Sequence, residues 1–272
     1  MPELPEVECL RRSLAPHLAG RRIVGVTVRD GRLREPVREA ALAALLPARV
    51  AAVERRAKVL LVRLASGAAL LVHLGMSGRL LVEPASAPWR PHDRLRLHLE
   101  GGDRLVYHDP RRFGRVVALA PGEGHPLLAG LGPEPLGEGF GGAHLARAAR
   151  GRRRPVKPFL MDGRVVAGVG NIYACEACFA AGIHPAAPAG RLSAARWERL
   201  AAALRAVLAE SIAAGGTTLR DFADAEGRGG LYQLRTRVYG REGEPCVACG
   251  RPIRRLTQSG RSTFYCPRCQ RW

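Results

Sequence analysis

Residues 59–82 read VLLVRLASGAALLVHLGMSGRLLV, three short apolar segments separated by turn sequences. The segments Val59–Leu64, Ala69–His73 and 80–82 have the composition and length of β-strands. The intervening Ala-Ser-Gly and Gly-Met-Ser-Gly sequences are typical of turns. This stretch therefore predicts consecutive antiparallel strands.

Strand signals continue on both sides of this stretch. Residues 23–28 read Ile-Val-Gly-Val-Thr-Val, and residues 95–99 alternate leucine with polar side chains. A Gly-Gly turn then leads into the apolar residues 105–107. Several short strands joined by tight turns indicate an antiparallel sandwich or barrel.

Helical patterns precede and follow the strands. Residues 4–18 place leucine and valine at helical spacing, with Pro5 in the first turn. Beyond a Gly- and Pro-rich linker at 121–142, Ser193 is the predicted N-cap of a long helix that ends at Gly215-Gly216. The sequence therefore predicts an α+β fold with three regions: an N-terminal β-sandwich with flanking helices (1–125), a helical domain (126–240) and a cysteine-containing unit (241–272).

The C-terminal unit contains two Cys-x-x-Cys pairs separated by 16 residues, namely Cys246, Cys249, Cys266 and Cys269. This spacing is typical of a four-thiolate zinc site. Because the interval is too short for a hydrophobic core, one structural zinc ion would supply the folding energy. Five arginines and no acidic residue lie between the first and last cysteine. The arginines favour a hairpin that faces nucleic acid, with a zinc ribbon for protein contacts as the alternative.

Three further cysteines lie outside this quartet. Cys175 and Cys178 also form a Cys-x-x-Cys pair, but they fall in a predicted helix and the quartet is already complete. We interpret both as small buried apolar residues, and Cys9 on the first helix as a packing residue.

The charge of the chain indicates a polyanionic partner. There are 43 Lys and Arg against 24 Asp and Glu, a formal net charge of +19, and nucleic acid is the usual partner of such an excess. Nearly all the cations are arginine, so Lys58 and Lys157 are candidates for chemistry that arginine cannot perform. No run approaches the length of about 20 apolar residues that a membrane helix needs. The acidic beginning lacks an apolar signal region, so we expect a cytoplasmic protein.

The first residues are candidates for covalent catalysis. Met1 precedes the small residue Pro2, so its removal is expected to leave a secondary amine. An α-amino group has a pKa of about 7.7–8.0, against about 10.4 for lysine, so part of it is neutral at neutral pH. Such an amine can form an iminium with a sugar carbon, and Glu3 could move the protons. Alone, however, a Pro-Glu beginning is common.

Several motifs occur together and in order along the chain: MPELPEVE at 1–8, RRAK at 55–58, HLGMSG at 73–78, DPRRFG at 109–114 and GVGNIYA at 168–174. With the four-cysteine tail, this set resembles the formamidopyrimidine-DNA glycosylase family from Pro2 to Cys269. The resemblance implies a bacterial DNA-repair enzyme with glycosylase and abasic-site lyase activities. Its expected substrates are the oxidised purines 8-oxoguanine and formamidopyrimidines in duplex DNA. It also implies a helix–two-turn–helix domain, a zinc-finger β-hairpin and a monomer associated with the nucleoid.

The resemblance implies catalytic roles for four residues. Pro2 would attack the sugar C1′ and hold the DNA as a Schiff base. Glu3 would be the proton donor near the sugar. Lys58 would assist β-elimination, and Arg261 would assist δ-elimination and bind phosphate.

The resemblance also implies a set of residues that fill the stack after a base is flipped. These are Met76, Arg111 and Phe113, which match the intercalating positions of the family. A flexible thioether, a guanidinium and an aromatic ring suit that role. Core packing of Met76 and Phe113 is the alternative interpretation.

Further DNA contacts are implied for His92, Arg152, Lys157, Asn171 and Tyr239. Asn171 opens a predicted helix, whose N-terminus would bind phosphate. By the same resemblance, residues 217–239 correspond to the family's mobile lid over the damaged base, in which Gly227, Gly229 and Gly230 would give flexibility. The chain has Leu231-Tyr232 where the family often has two adjacent aromatic residues.

Three alternatives remain open from sequence. The sister endonuclease VIII family shares the proline chemistry but removes oxidised pyrimidines. A zinc-finger protein that binds lesions without cutting would not need Pro2, Glu3, Lys58 and Arg261 together. A zinc-ribbon RNA-binding protein would leave the Pro-Glu beginning unexplained.

Overall fold

The computed structural model describes residues 2–218 and 223–272, and the chain forms two compact units. The first comprises Met1–Ala129 and Ala214–Leu231, and the second Gly130–Ala213 and Tyr232–Trp272. The boundary near residue 129 falls within the predicted linker. The three-region division drawn from the sequence remains a prediction. In the described residues, no helix is long and apolar enough to cross a membrane.

In its described residues, the first unit contains one antiparallel sheet and two helices. The helices are α1 (Leu4–Leu18) and α2 (Glu39–Ala43). The strands are β1 (Arg22–Val28), β2 (Ala48–Arg56), β3 (Val59–Leu64), β4 (Ala69–His73), β5 (Arg79–Pro84), β6 (Asp93–Leu99), β7 (Asp103–His108) and β8 (Arg115–Leu119). Their order in the sheet is β5-β7-β6-β1-β2-β3-β4-β8.

The sheet folds over a shared core at the junction of β1 and β2. Only Arg22–Arg49 and Ile23–Ala48 pair across this junction. Buried side chains from both halves, such as Leu97 of β6 and Leu60 of β3, belong to one hydrophobic cluster. The predicted β-sandwich is therefore confirmed.

Helix α1 closes this core, and its position follows from its sequence pattern. Leu10, Leu14 and Leu18 share one face and are each fully buried in the cluster of the sandwich. Burial of such a side chain contributes about 1.5–3 kcal/mol. The packing anchors α1, which directly follows two of the candidate catalytic residues, Pro2 and Glu3.

The second unit is helical, with one small hairpin. Its helices are α3 (Gly142–Ala149), α4 (Val156–Leu160), α5 (Asn171–Ala180) and α6 (Ala194–Ala213), and its hairpin strands are β9 (Arg254–Gln258) and β10 (Arg261–Tyr265). Ser193 precedes α6 as predicted, and its Oγ accepts a 3.4 Å hydrogen bond from the Arg196 N–H. The predicted α+β class, with a helical domain and a C-terminal hairpin, is confirmed.

Candidate catalytic residues, metal centre and nucleic-acid interface

The N-terminal turn of α1 holds Pro2 and Glu3 in a buried setting. Pro2 is buried, and Glu3 is the helix N-cap with only 3% of its surface exposed. Glu3 and Glu6 form a reciprocal capping box, in which the Glu3 N–H donates to Glu6 Oε2 at 2.8 Å. Glu6 Oε1 also accepts the Thr217 N–H at 2.9 Å. The buried Glu6 carboxylate thus binds both the candidate catalytic residue Glu3 and Thr217 in the 214–231 segment of the same unit.

Lys58 lies in the two-residue turn between β2 and β3. The turn is tight, because Ala57 has a left-handed backbone with φ 53°. Arg55 Nη1 donates to the Ala57 carbonyl at 3.0 Å, and Arg55 Nε donates to Glu8 Oε2 at 3.1 Å. Because Glu8 belongs to α1, these contacts attach the Lys58 turn to the helix that begins at the predicted nucleophile.

Glu8 is ionised over a wide pH range. Burial would raise its pKa, but hydrogen bonds from Arg11, Arg12 and Arg55 outweigh that effect and lower the pKa to about 2. Its carboxylate is therefore charged at neutral pH.

The predicted intercalating residues lie on two loop tips. Met76 follows β4 and is 38% exposed, and Phe113 precedes β8 and is 42% exposed. The Arg111 guanidinium carbon lies 4.9 Å from the Phe113 ring centroid, a cation–π arrangement. This exposure argues against core packing of Met76 and Phe113 and leaves both free to contact a ligand.

His92 is exposed in the loop before β6 and has a left-handed backbone with φ 72°. Its carbonyl accepts the Asp109 N–H at 3.0 Å. Its ring lies edge-on to the His108 ring, with centroids 6.1 Å apart. These contacts tie His92 to the segment that leads into the Arg111 loop.

In the second unit, Lys157 and Asn171 both bind the hairpin next to Arg261. Lys157 is only 1% exposed, and its Nζ donates to Thr263 Oγ1 at 2.7 Å and to the Ser262 carbonyl at 3.2 Å. Asn171 Nδ2 donates to the same carbonyl at 2.9 Å. The lysine ammonium is thus a structural support for the hairpin, and its predicted phosphate contact remains a prediction.

Arg261 and Arg152 are both exposed. Arg261 begins β10 after a tight turn, in which Ser259 and Gly260 have φ 48° and 71°. Asn171 is the first residue of α5 as predicted, although the N-cap itself is Gly170.

The four C-terminal cysteines form a metal centre. Their Sγ atoms all lie within 4.8 Å of one another, and the 246–269 and 249–266 pairs are 3.9 and 3.5 Å apart. A tetrahedral zinc ion with Zn–S bonds of about 2.3 Å requires sulfur separations of about 3.8 Å. The donor set therefore fits one structural zinc ion. Cys175 and Cys178 are fully buried as predicted, and burial raises the pKa of the Cys178 thiol.

The predicted lid at 217–239 is divided between the two units. Residues 219–222 lie outside the described residues. In the first unit, the Gly230 N–H donates to Thr218 Oγ1 at 2.8 Å, and a Cβ at Gly230 would collide with the backbone of Gly215 and Gly216. Tyr239 belongs to the second unit, where its ring packs edge-on against Phe264 at 5.2 Å.

Sequence reasoning missed Glu176. This residue of α5 is fully buried, and its carboxylate accepts the N–H groups of Arg237, Val238 and Tyr239 at 2.8–3.0 Å. Burial raises its pKa, while the three N–H donors act in the opposite direction. The available signal was one acidic residue inside the apolar run IYACEACF.

The four-cysteine centre places the chain in the class of zinc-finger proteins. Three family models match the chain in order: the formamidopyrimidine-DNA glycosylase N-terminal domain over residues 1–116, its H2TH domain over 131–223, and the zinc finger found in FPG and IleRS over 243–271. The chain belongs to the formamidopyrimidine-DNA glycosylase family, as the sequence motifs indicated. The zinc finger holds one structural zinc ion through its four cysteines.

Relatives match over the whole length. A formamidopyrimidine-DNA glycosylase of Methylococcus capsulatus is 55% identical over 272 residues, covering 100% of both chains. The crystal structure of the MutM (FPG) protein of Thermus thermophilus matches with a TM-score of 0.87 and 46% identity, covering 99% of this chain and 98% of that one. An FPG mutant of Lactococcus lactis in complex with Fapy-dG-containing DNA matches with a TM-score of 0.91 and 30% identity, covering 100% of both chains.

Proposed function

We propose that this chain excises oxidised purines from duplex DNA through a Schiff base on Pro2 and then cleaves the strand by β,δ-elimination. The observation that carries the proposal is the pairing of Pro2 with buried Glu3 at a helix start fixed by Glu6. Family membership supports a DNA glycosylase with abasic-site lyase activity. Relatives from Lactococcus lactis are bound to Fapy-dG DNA and to abasic-site DNA.

Base excision begins at the amine that remains after Met1 is removed. The neutral amine of Pro2 bonds to C1′ while the glycosidic bond breaks, and the departing base takes the bonding electron pair and a proton. Opening of the sugar ring leaves an iminium at C1′. Glu3 is placed beside the nucleophile to donate and accept the protons that these steps need.

Strand cleavage follows from the iminium, which acidifies the C2′ protons. Loss of a C2′ proton expels the 3′ phosphate, and a second elimination expels the 5′ phosphate. Lys58 assists the first elimination, and Arg261 assists the second by binding a phosphate as a cation. Lys58 lies in the turn that contains Ala57, and Arg261 directly follows the Ser259–Gly260 turn.

The damaged base must leave the stack before C1′ can be attacked. Met76 and Phe113 would enter the space left by the base, and Arg111 would pair with the orphaned partner base. Their exposure on loop tips supports this role.

Binding of the DNA backbone rests on the large positive charge of the chain. His92, Arg152, Lys157 and Asn171 would contact phosphates, and Tyr239 would contribute at the end of the lid. A zinc ion held by the four cysteine thiolates would have no open coordination position, so its role would be structural. We further propose that the protein acts as a monomer on nucleoid DNA in the bacterial cytoplasm.

The test is borohydride trapping on a duplex that contains 8-oxoguanine opposite cytosine. We expect a covalent protein–DNA adduct that disappears in Pro2→Gly, while most of the DNA affinity remains. An uncleaved N-terminal tag should have the same effect. Undiminished excision with a blocked amine would refute the proline mechanism.

A competition assay separates the proposal from its alternatives. A strong preference for thymine glycol over 8-oxoguanine duplexes would favour the endonuclease VIII activity. Tight lesion binding without adduct or cleavage on any oxidised base would favour a non-catalytic lesion binder.

A further inference from the structure

Asp109 is a fully buried carboxylate between the two loops that carry the exposed Met76 and Phe113. Its Oδ1 accepts the Ser77 hydroxyl at 2.8 Å and the Arg111 N–H at 3.2 Å. Its Oδ2 accepts the Gly114 N–H at 2.9 Å. One side chain therefore binds a residue adjacent to Met76 and both sides of Phe113.

The backbones of the two loops are also in direct contact. Gly75 has φ +60°, and a Cβ at this position would collide with the backbone of Phe113 and Gly114. A Cβ at Gly114 would collide with the Tyr107 hydroxyl, which donates to the His73 carbonyl at 3.3 Å. Glycine is required at these positions because the loops pack without space for a side chain.

The backbone of Asp109 is itself held by the buried Arg94 side chain. Arg94 is 5% exposed, and its Nε donates to the Asp109 carbonyl at 2.8 Å. Its Nη1 donates to Asp30 Oδ2 at 2.6 Å. Hydrogen bonds to a charged group in a buried setting are among the stronger polar interactions.

We infer that Asp109 is a positioning residue that joins the Met76 loop and the Arg111–Phe113 loop into one preformed wedge. The inference rests on the proposed function, because it assigns the wedge to the step that opens the stack. A wedge that is rigid before it meets DNA loses less conformational freedom on insertion. Because Asp109 is fully buried, it would act through the two loops and not by its own contact with DNA.

The first test compares Asp109→Asn with the parent protein on two substrates. The amide group must turn its NH2 toward at least one of the present donors, so at least one hydrogen bond is lost. We expect single-turnover excision from an 8-oxoguanine:cytosine duplex to fall about 10- to 100-fold. Borohydride trapping on a single-stranded abasic oligonucleotide should change by less than about twofold, because a single strand has no stack to open.

Asp103→Asn is the matched control. Asp103 begins β7, the strand that ends just before Asp109, and its partly exposed carboxylate binds Arg21. The control should leave both reactions unchanged. Equal losses on both substrates in Asp109→Asn would show a general structural defect and overturn the inference, as would no loss on the duplex.

A double-mutant cycle tests whether Asp109 acts through the wedge. In a background that combines Met76→Ala, Arg111→Ala and Phe113→Ala, Asp109→Asn should cost less than about threefold further, since the three side chains it positions are gone. A full additional loss in that background would overturn the inference. If Asp109→Asn does not fold, Ser77→Ala can replace it, because this variant removes one hydrogen-bond donor to the Asp109 carboxylate. Ser77→Ala should give a smaller loss of excision, again on the duplex and not on the single strand.

Amide hydrogen exchange tests the inference without DNA. In Asp109→Asn the amides of residues 75–77 and 111–114 should exchange faster together, while those of β3 should not change. Faster amide exchange in only one of the two loops, or in neither, would refute the inference that Asp109 supports both loops. Failure of the parent protein to trap any lesion would refute the proposed function and leave this measurement to decide the role of Asp109.

Discussion

The start of α1 and the β9–β10 hairpin both present proposed catalytic groups, but they are held by different means. The start of α1 is anchored by leucines buried in the sandwich core and by the carboxylates of Glu6 and Glu8. The hairpin has a largely exposed strand β9 and a mostly half-buried strand β10, and it is supported by four cysteines and by the side chains of Lys157 and Asn171. A two-stranded hairpin alone is marginally stable in water. Single polar substitutions in α1 should therefore change the position of Pro2, the proposed nucleophile, very little. The position of Arg261, by contrast, should depend on a few hydrogen bonds and metal–thiolate bonds.

Removal of the metal should have the largest effect. Structural zinc supplies most of the folding free energy of such small units. Chelation, or Cys246→Ser, should lower the affinity for lesion duplexes about 100-fold or more through loss of the arginine-rich hairpin. Amide exchange should show β1–β8 still protected while the hairpin amides lose protection. Full DNA binding by zinc-free protein would contradict this dependence.

Glu176→Gln should loosen the chain that leads into the zinc finger. The Gln side chain replaces one acceptor with an NH2 group, so one of the N–H groups at 237–239 loses its partner in a buried place. An unsatisfied buried donor costs about 1–3 kcal/mol. We expect the free energy of unfolding of the second unit to fall by about 2 kcal/mol, measured by urea denaturation. Glu242→Gln, which alters an exposed ion pair with Arg255, is the control and should change it little.

Lys157→Met should weaken the hairpin support directly. The change keeps the aliphatic stem but removes the ammonium that binds Ser262 and Thr263. DNA affinity should fall about tenfold, since a hydrogen bond to a charged group contributes about 1.5–3 kcal/mol. Arg153→Met removes an exposed cation four residues away and is the control. Equal losses in both variants, measured by fluorescence anisotropy, would mean that only charge matters.

The sequence predicted what depends on local pattern. Helix α1 and strands β3 and β4 have the predicted limits, because their apolar periodicity and turn residues are local signals. The cysteine quartet was identified for the same reason, since the Cys-x-x-Cys spacing of its metal ligands is a local sequence pattern. Strand β2 was not predicted, because its alanine and arginine residues lack a clear apolar alternation.

The supports of the site could not be predicted from sequence. Asp109 lies in a motif that was identified, but its bond to Ser77 joins residues 32 positions apart. Glu6 is hydrogen-bonded to Thr217, which lies 211 positions later in the sequence. Glu176 is hydrogen-bonded to the backbone N–H groups of residues 237–239, which lie 61 to 63 positions later. Such pairings depend on how distant segments pack, which no local pattern records.

The α1 side of the comparison predicts a small, pH-dependent effect at Glu8. The pKa of Glu8 is lowered to about 2 in the folded protein, against about 4.3 for a glutamate in an unfolded chain. The charged carboxylate therefore stabilises the folded protein at pH values above about 4.3. That contribution is lost as pH falls from about 4.3 through 2, because protonation then favours the unfolded chain. In Glu8→Gln we expect stability at pH 7 to fall by about 1 kcal/mol, after allowance for screening of its partly exposed arginine partners.

Between pH 5 and 3, thermal unfolding should show a smaller loss of stability in the variant than in the parent. An unchanged acid response would mean that the arginines around Glu8 do not hold the Lys58 turn to α1.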